Sequence, residues 1–182
     1  YVDGVTYKSK VCLNYLGNVL VCSQPEKSPN TPIKIFDLSS NNTWYQRTNT
    51  INGNNIAAPT YEGHGWSMDL TDDGNTLAVS TLHGTGGGTA RGEVKVYDIS
   101  TTTPVQKGST INGDLEWDNL GESVSLSNDG KFLAISSRES VGLNRDQYIK
   151  VFEWNGSSWN LRGSKIDITN SKNNNLKTSL DI

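Results

Sequence analysis

Three four-residue strings, Ser67-Met68-Asp69-Leu70, Ser123-Val124-Ser125-Leu126 and Ser179-Leu180-Asp181-Ile182, start at two equal intervals of 56 residues. Equal intervals mean tandem copies of one supersecondary unit, which cannot bury its apolar surface alone and must stack on its neighbours. A weaker copy, Lys10-Val11-Cys12-Leu13, lies 57 residues before Ser67. The units run at about 8–64, 65–120 and 121–176, with a fourth begun at 177–182.

Each unit reads as four short strands. After the first comes a turn, Asn14-Tyr15-Leu16-Gly17-Asn18, Thr71-Asp72-Asp73-Gly74-Asn75 or Ser127-Asn128-Asp129-Gly130-Lys131, and then a second apolar strand ending at Cys22, Ser80 or Ser136. Asp-Gly between apolar runs is a hairpin signal, because Gly takes positive φ without a Cβ clash and Asp tolerates it. A third strand, Ile33 to Asp37, Val94 to Asp98 and Ile149 to Glu153, alternates apolar and polar residues at the strand period of two. The fourth is predicted at Trp44 to Arg47, Val105 to Gly108 and Trp159 to Gly163, and Ile51, Ile111 and Ile166 are expected to open the connections to the next unit. No segment has sustained helical periodicity. The expected fold class is all-β: tandem four-stranded antiparallel meanders forming blades of a partial β-propeller.

The run Ser123 to Ser136, followed by Ile149-Lys150-Val151-Phe152-Glu153-Trp154-Asn155-Gly156-Ser157-Ser158-Trp159, resembles the repeats of FG-GAP-like and tryptophan-aspartate-like propeller proteins. The resemblance implies a scaffold for adhesion and for protein or glycan binding, of the kind found in large microbial surface and virion proteins. Calcium-binding members of that group alternate acidic ligands before a Gly. Here the turns carry only adjacent groups, Asp72-Asp73 and Asn128-Asp129, which do not assemble a shell of six to eight oxygens. The Gly-His and Trp-Asp pairs of the tryptophan-aspartate repeat are absent from the matching positions.

A formal net charge of −3, from 16 basic and 19 acidic residues spread along 182, leaves no basic stripe for a phosphate backbone, so nucleic acid is not an expected partner. No apolar run reaches the roughly 20 residues of a membrane-spanning helix, so membrane insertion is not expected either. The start, Tyr1-Val2-Asp3-Gly4, has no initiator Met or signal peptide, and the fourth unit is unfinished. The expectation is a segment of a longer polypeptide, with an array completed by another chain as the alternative. Cys12 and Cys22 could bridge across a hairpin, but two buried free thiols are the expected state. With only His64 and His83 besides, no thiolate or imidazole metal site and no cofactor is expected.

Residues recurring in every unit read as scaffold. Lys34, Lys95 and Lys150, followed by Asp37, Asp98 and Glu153 and facing Arg47, Lys107 and Arg162, predict cross-strand ion pairs on the outer hairpins. Segments that differ between units read as function. In an antiparallel meander the loops between strands two and three (24–31, 82–92, 138–147) emerge beside the inter-unit connections (52–65, 112–121, 167–177), which collects the variable residues on one face. The candidate ligand-binding residues there are His83, Arg91, Glu116, Trp117, Asp118, Arg138, Glu139 and Arg145. Two carboxylates flanking an indole at 116–118 suit a sugar or a cation, although packing of Trp117 between neighbouring units is the plainer expectation. The glycine-rich run 84–92 lacks the Gly-Lys-Ser/Thr ending of a phosphate loop. No nucleophile and base sit at a motif spacing, so no catalytic residue is assigned.

Asn41-Asn42-Thr43 and Asn155-Gly156-Ser157 match the glycosylation sequon and fall on outer hairpin tips, opposite the loop face. The leading expectation is a non-enzymatic binding or structural module of an extracellular, surface or virion-associated assembly. A propeller hydrolase or lyase acting on glycans and a calcium-stiffened adhesion propeller are the alternatives.

Overall fold

The computed structural model describes residues 9–25, 32–47, 49–53, 63–85, 88–138 and 147–168. The anticipated fourth unit, 177–182, lies outside them. The described residues contain strands and turns and no helix. Strands β1 (Lys10–Leu13), β2 (Val19–Ser23), β3 (Lys34–Leu38) and β4 (Trp44–Gln46) form one antiparallel sheet in sequential order. Strands β5 (His64–Leu70), β6 (Thr76–Thr81), β7 (Glu93–Asp98) and β8 (Val105–Gln106) form the second, with β9 (Ile111–Asn112) also on β7. The third holds β10 (Ser123–Leu126), β11 (Phe132–Ser136), β12 (Gln147–Trp154) and β13 (Trp159–Leu161), with β14 (Ile166–Ile168) on β12.

Ile51, Ile111 and Ile166 depart from expectation in the same way. Rather than opening the connections, they turn back onto the third strand, pairing Ile33, Val94 and Ile149. The outer strand of the second and third sheets is thus a broken one, interrupted at Gly108 and Gly163, whose φ values of 77° and 76° suit a bulge.

The turns between the first two strands close by one mechanism. Only the glycine of each adopts positive φ, at 68° for Gly17, 69° for Gly74 and 67° for Gly130. In the second and third sheets the preceding Asp stays out of that region and caps instead: Asp73 Oδ1 accepts from Thr71 Oγ1 at 2.6 Å and from Asn75 N at 2.9 Å, and Asp129 Oδ1 accepts from Ser127 Oγ at 2.7 Å and from Lys131 N at 2.9 Å. For Asp73 these bonds outweigh burial, and for Asp129 the Ser127 bond leads; both carboxyls are held below the usual range. Asn14, Thr71 and Ser127 complete the pattern, each accepting from the first amide of the second strand at 2.8, 3.0 and 2.9 Å.

Burial follows the period of two. In the second sheet Leu77, Val79 and Tyr97 face the first sheet, while Ala78, Val94 and Val96 face the third. The first interface gathers Val19, Val21, Ile33, Ile35 and Ile51 against Leu70, Leu77 and Val79. The second gathers Ala78, Val94 and Val96 against Val124, Leu126, Leu133, Ile135 and Phe152. The middle sheet is covered on both faces, and for that reason β6 is buried along its whole length.

The first strands of successive units lie side by side, with β5 against both β1 and β10. Side chains bridge β5 to β10: Ser67 Oγ accepts from Val124 N at 3.1 Å, and Asp69 Oδ2 accepts from Leu126 N at 2.6 Å. Glycines allow the close approach. A Cβ on Gly65 or Gly121 would fall 2.5 Å from the Cβ of Ser23 or Ser80 in the preceding unit.

The outer-hairpin ion pairs form in two units, Arg47 to Asp37 at 2.6 Å and Arg162 to Glu153 at 2.7 Å. Arg47 also reaches the carbonyl of Ile99 in the next unit. In the middle unit Lys107 lies 5.3 Å from the Trp154 ring centre instead, a cation over an aromatic face supplied by the third sheet. Cys12 and Cys22 are free thiols. Cys12 opposes Val21 in the ladder, so the two cysteines point to opposite faces.

His64 is buried at the start of β5, its Nδ1 lying 3.0 Å from Thr81 Oγ1. Burial, assisted by the Lys95 charge, brings its pKa from 6.5 down to about 4. Below pH 6.5 the unfolded chain takes up a proton that the folded chain refuses until about pH 4, so stability falls as pH drops through that window. At 1.36 kcal/mol per unit the loss is about 3 kcal/mol. Urea unfolding at pH 7 and pH 4.5 is expected to show it, with His64→Gln flattening the difference. Equal pH slopes in the two proteins would contradict a buried neutral imidazole.

Candidate loop-face binding site

Two loops and one strand end meet at the end of the second and third sheets away from the turns. The loop entering β7 is bonded along its backbone to the loop leaving β9. Gly113 N donates to Gly92 O at 3.1 Å, Leu120 N to Arg91 O at 3.0 Å, Asn119 N to Ala90 O at 3.1 Å and Trp117 N to Thr89 O at 2.8 Å. Arg138, just past β11, joins through its own amide, 3.2 Å from Asp118 O. Sequence order and meander geometry had placed these segments on one face, and the structure brings them into contact.

Most of the candidate residues turn out to hold the loops together. The Arg91 guanidinium donates to the carbonyls of Gly113 and Asp114, the latter at 2.9 Å. Asp118 is buried and accepts from Leu115 N at 2.8 Å and from the Tyr148 hydroxyl at 2.9 Å. Burial and the Asp118 charge push the Tyr148 hydroxyl well above its ordinary pKa, so it stays a proton donor. His83 Nδ1 lies 3.0 Å from Asn119 Oδ1; its burial, with the Arg138 charge, lowers its pKa and keeps the ring neutral near pH 7. Arg138 pairs with Glu122 at 2.6 Å and lies 4.8 Å from the Trp66 ring centre. Glu139 and Arg145 lie outside the described residues.

Glu116 and Trp117 lie at the surface of the paired loops. Glu116 Oε1 takes a long hydrogen bond, 3.4 Å, from Thr89 N and sits at the surface. Trp117 is 47% exposed, so it does not pack between neighbouring sheets as the plainer expectation held. Its φ is 65°, a left-handed conformation that costs a bulky residue of order 1 kcal/mol or more. The neighbouring backbone bonds impose that conformation and hold the indole in solvent.

The glycine-rich segment is unsuited to phosphate. Gly84 packs on the side chain of Glu93, where an added Cβ would come within 2.5 Å of Glu93 Cγ. The Glu93 carboxylate is paired with Lys95 at 3.2 Å, and a strand rather than a helix follows, so no helix N-terminus faces the loop. Among the described residues no group of three or more His, Cys, Asp or Glu is placed to hold a metal ion. The turn carboxylates Asp73 and Asp129 are engaged by their own hairpins, as above.

A second concavity was not legible in the sequence. A cleft of about 360 Å³ between the second and third sheets is lined by Asn112, Lys150, Phe152, Ser158, Trp159 and Leu161, among others. Trp159 Nε1 donates to Lys107 O at 3.0 Å. Lys150, expected on an outer hairpin, instead reaches across the interface to pair with Asp114. The sequon residues occupy the expected tips. Asn41 accepts from Ser39 Oγ, and Asn155 Oδ1 accepts from Ser157 N and Ser158 N, both at 2.9 Å.

No protein-family model and no curated protein matches this chain. Among solved structures it is similar to a "putative 6-phosphogluconolactonase" from Bacteroides uniformis, with a TM-score of 0.57 and 17% sequence identity over 88% of this chain. The chain spans 42% of that protein's length. At this identity the likeness concerns the fold: an all-β array of repeated antiparallel sheets.

Proposed function

We propose that the three sheets are consecutive blades of a β-propeller and that the chain is a non-enzymatic binding module, which contacts a protein or glycan through the loop face. The observation that carries this reading is Trp117, a large aromatic held in solvent at positive φ beside Glu116 by bonded loops. Rigid exposed indoles supply large contact area at low entropic cost and stack on sugar rings or fill partner pockets. Hydrolysis is less well supported. Asp114 is paired with Lys150, Asp118 with Tyr148 and Glu122 with Arg138, so these carboxylates are committed to the scaffold. An extracellular, surface or virion setting fits such a module, with the sequon tips remote from the loop face. Calcium stiffening has no donor set in the described turns to favour it.

Probing the chain against arrayed glycans and surface proteins tests the reading. Trp117→Ala is expected to weaken binding at least tenfold, as for an interface hot spot, while leaving the melting temperature nearly unchanged. Undiminished binding by the variant would refute the assignment.

A further inference from the structure

Residues 114–117 are all exposed and residues 118–120 all buried, so the loop leaving β9 carries a four-residue tip on an anchored stem. The tip has the geometry of a type II turn. Asp118 N donates to Leu115 O at 3.3 Å, and of the two central residues, Glu116 and Trp117, only Trp117 has positive φ. The third position of such a turn favours glycine, which has no Cβ to strain, yet here it holds the bulkiest of side chains. With the indole 47% exposed, that strain gains little inside the chain and becomes useful when a partner covers the ring.

The tip keeps few polar groups for a ligand. Leu115 N donates to Asp118 Oδ2 at 2.8 Å, Trp117 N donates to Thr89 O at 2.8 Å, and Trp117 O accepts from Asn119 Nδ2 at 2.9 Å. Asp114 pairs with Lys150, and the Arg91 guanidinium is engaged by the carbonyls of Gly113 and Asp114. What faces outward is Leu115, 56% exposed, and Trp117, with the Glu116 carboxylate between them at the surface. A sugar needs several polar groups to hold its hydroxyls as well as a ring to stack on, and most of the polar groups here are already bonded. Two large apolar side chains around one carboxylate instead suit a protein pocket, where such anchors are buried and the rim charges are complementary. We infer that the loop face binds a protein rather than a glycan, and that the partner offers an apolar pocket for Leu115 and Trp117 with a Lys or Arg at its rim opposite Glu116. The inference rests on reading Trp117 as a contact residue, and the experiment separates the two.

A phage-displayed library of random disulfide-closed peptides, panned on the chain, is expected to yield binders that carry Lys or Arg beside aliphatic or aromatic residues. Leu115→Ala and Trp117→Ala are each expected to weaken those binders at least tenfold. Glu116→Lys is expected to weaken them too, and Glu116→Gln to remove much of the salt dependence of binding. Trp117→Gly is expected to abolish binding with no fall in melting temperature, since glycine suits the turn. A large fall would make Trp117 a packing residue and overturn both readings. The same chain is screened on arrayed glycans. A glycan held through Trp117 but indifferent to Leu115→Ala and Glu116→Lys overturns the inference and leaves the Trp117 reading standing. Failure to enrich any peptide, or enrichment of peptides without basic residues that ignore Glu116→Lys, does the same. Ligands held equally by the parent chain and by Trp117→Ala overturn both.

Discussion

Gly92→Ala is expected to be among the most damaging single substitutions, costing about 3 kcal/mol or more and loosening the loop face as it does so. Two effects combine there. The φ of Gly92 is 76°, and an added Cβ would lie 2.2 Å from Leu120 N and 2.3 Å from Leu120 O. Backbone cannot swing aside as a side-chain end can, so the paired loops must separate. Gly17→Ala is the control: φ is 68° but nothing lies within 4 Å, so only the conformational cost of roughly 1 kcal/mol remains. Denaturant midpoints of the two variants check the contrast, and equal losses would contradict the close approach of the loops.

Leu77→Ala is expected to cost about 2 to 5 kcal/mol, the range for removing a fully buried leucine with partial collapse of the cavity. Leu77 has no exposed surface and lies between the first and second sheets. Leu20 is its repeat equivalent on the outer face of the first sheet and is only half-buried. At concentrations below those of any self-association, Leu20→Ala is therefore expected to cost clearly less. Urea unfolding of both would decide it, and a larger loss at Leu20 would mean that the sheets stack in a different order.

Sheet order and the meeting of 88–92 with 113–120 were legible because they depend on local rules. The period of two at Val94 to Asp98 fixed which side chains share a face, and the Gly of each turn fixed the hairpins. Less legible was everything set by contact between units. Ile111 looked like the start of a connection because nothing in its own sequence shows that β7 has room for another partner above β8. Lys107 looked like an ion-pair partner because the Trp154 ring that it faces belongs to the next unit, 47 residues further on. Trp117 looked like packing because burial is the commonest fate of an indole. Its exposure follows from backbone bonds to Thr89 that no spacing announces. Arg91 and Asp118 had the chemistry of ligand-binding groups, and they use it on Gly113, Leu115 and Tyr148.

Amide chemical-shift mapping of the isotope-labelled chain, titrated with whichever glycan or protein it captures, locates the binding surface residue by residue. Shifts are expected to be confined to 82–92, 113–122 and Arg138, with the turns at 72–75 and 128–131 and the hairpin tips at 39–43 and 155–158 unmoved. Shifts centred on those turns or tips, or on the cleft around Asn112 and Trp159, would contradict a loop-face site.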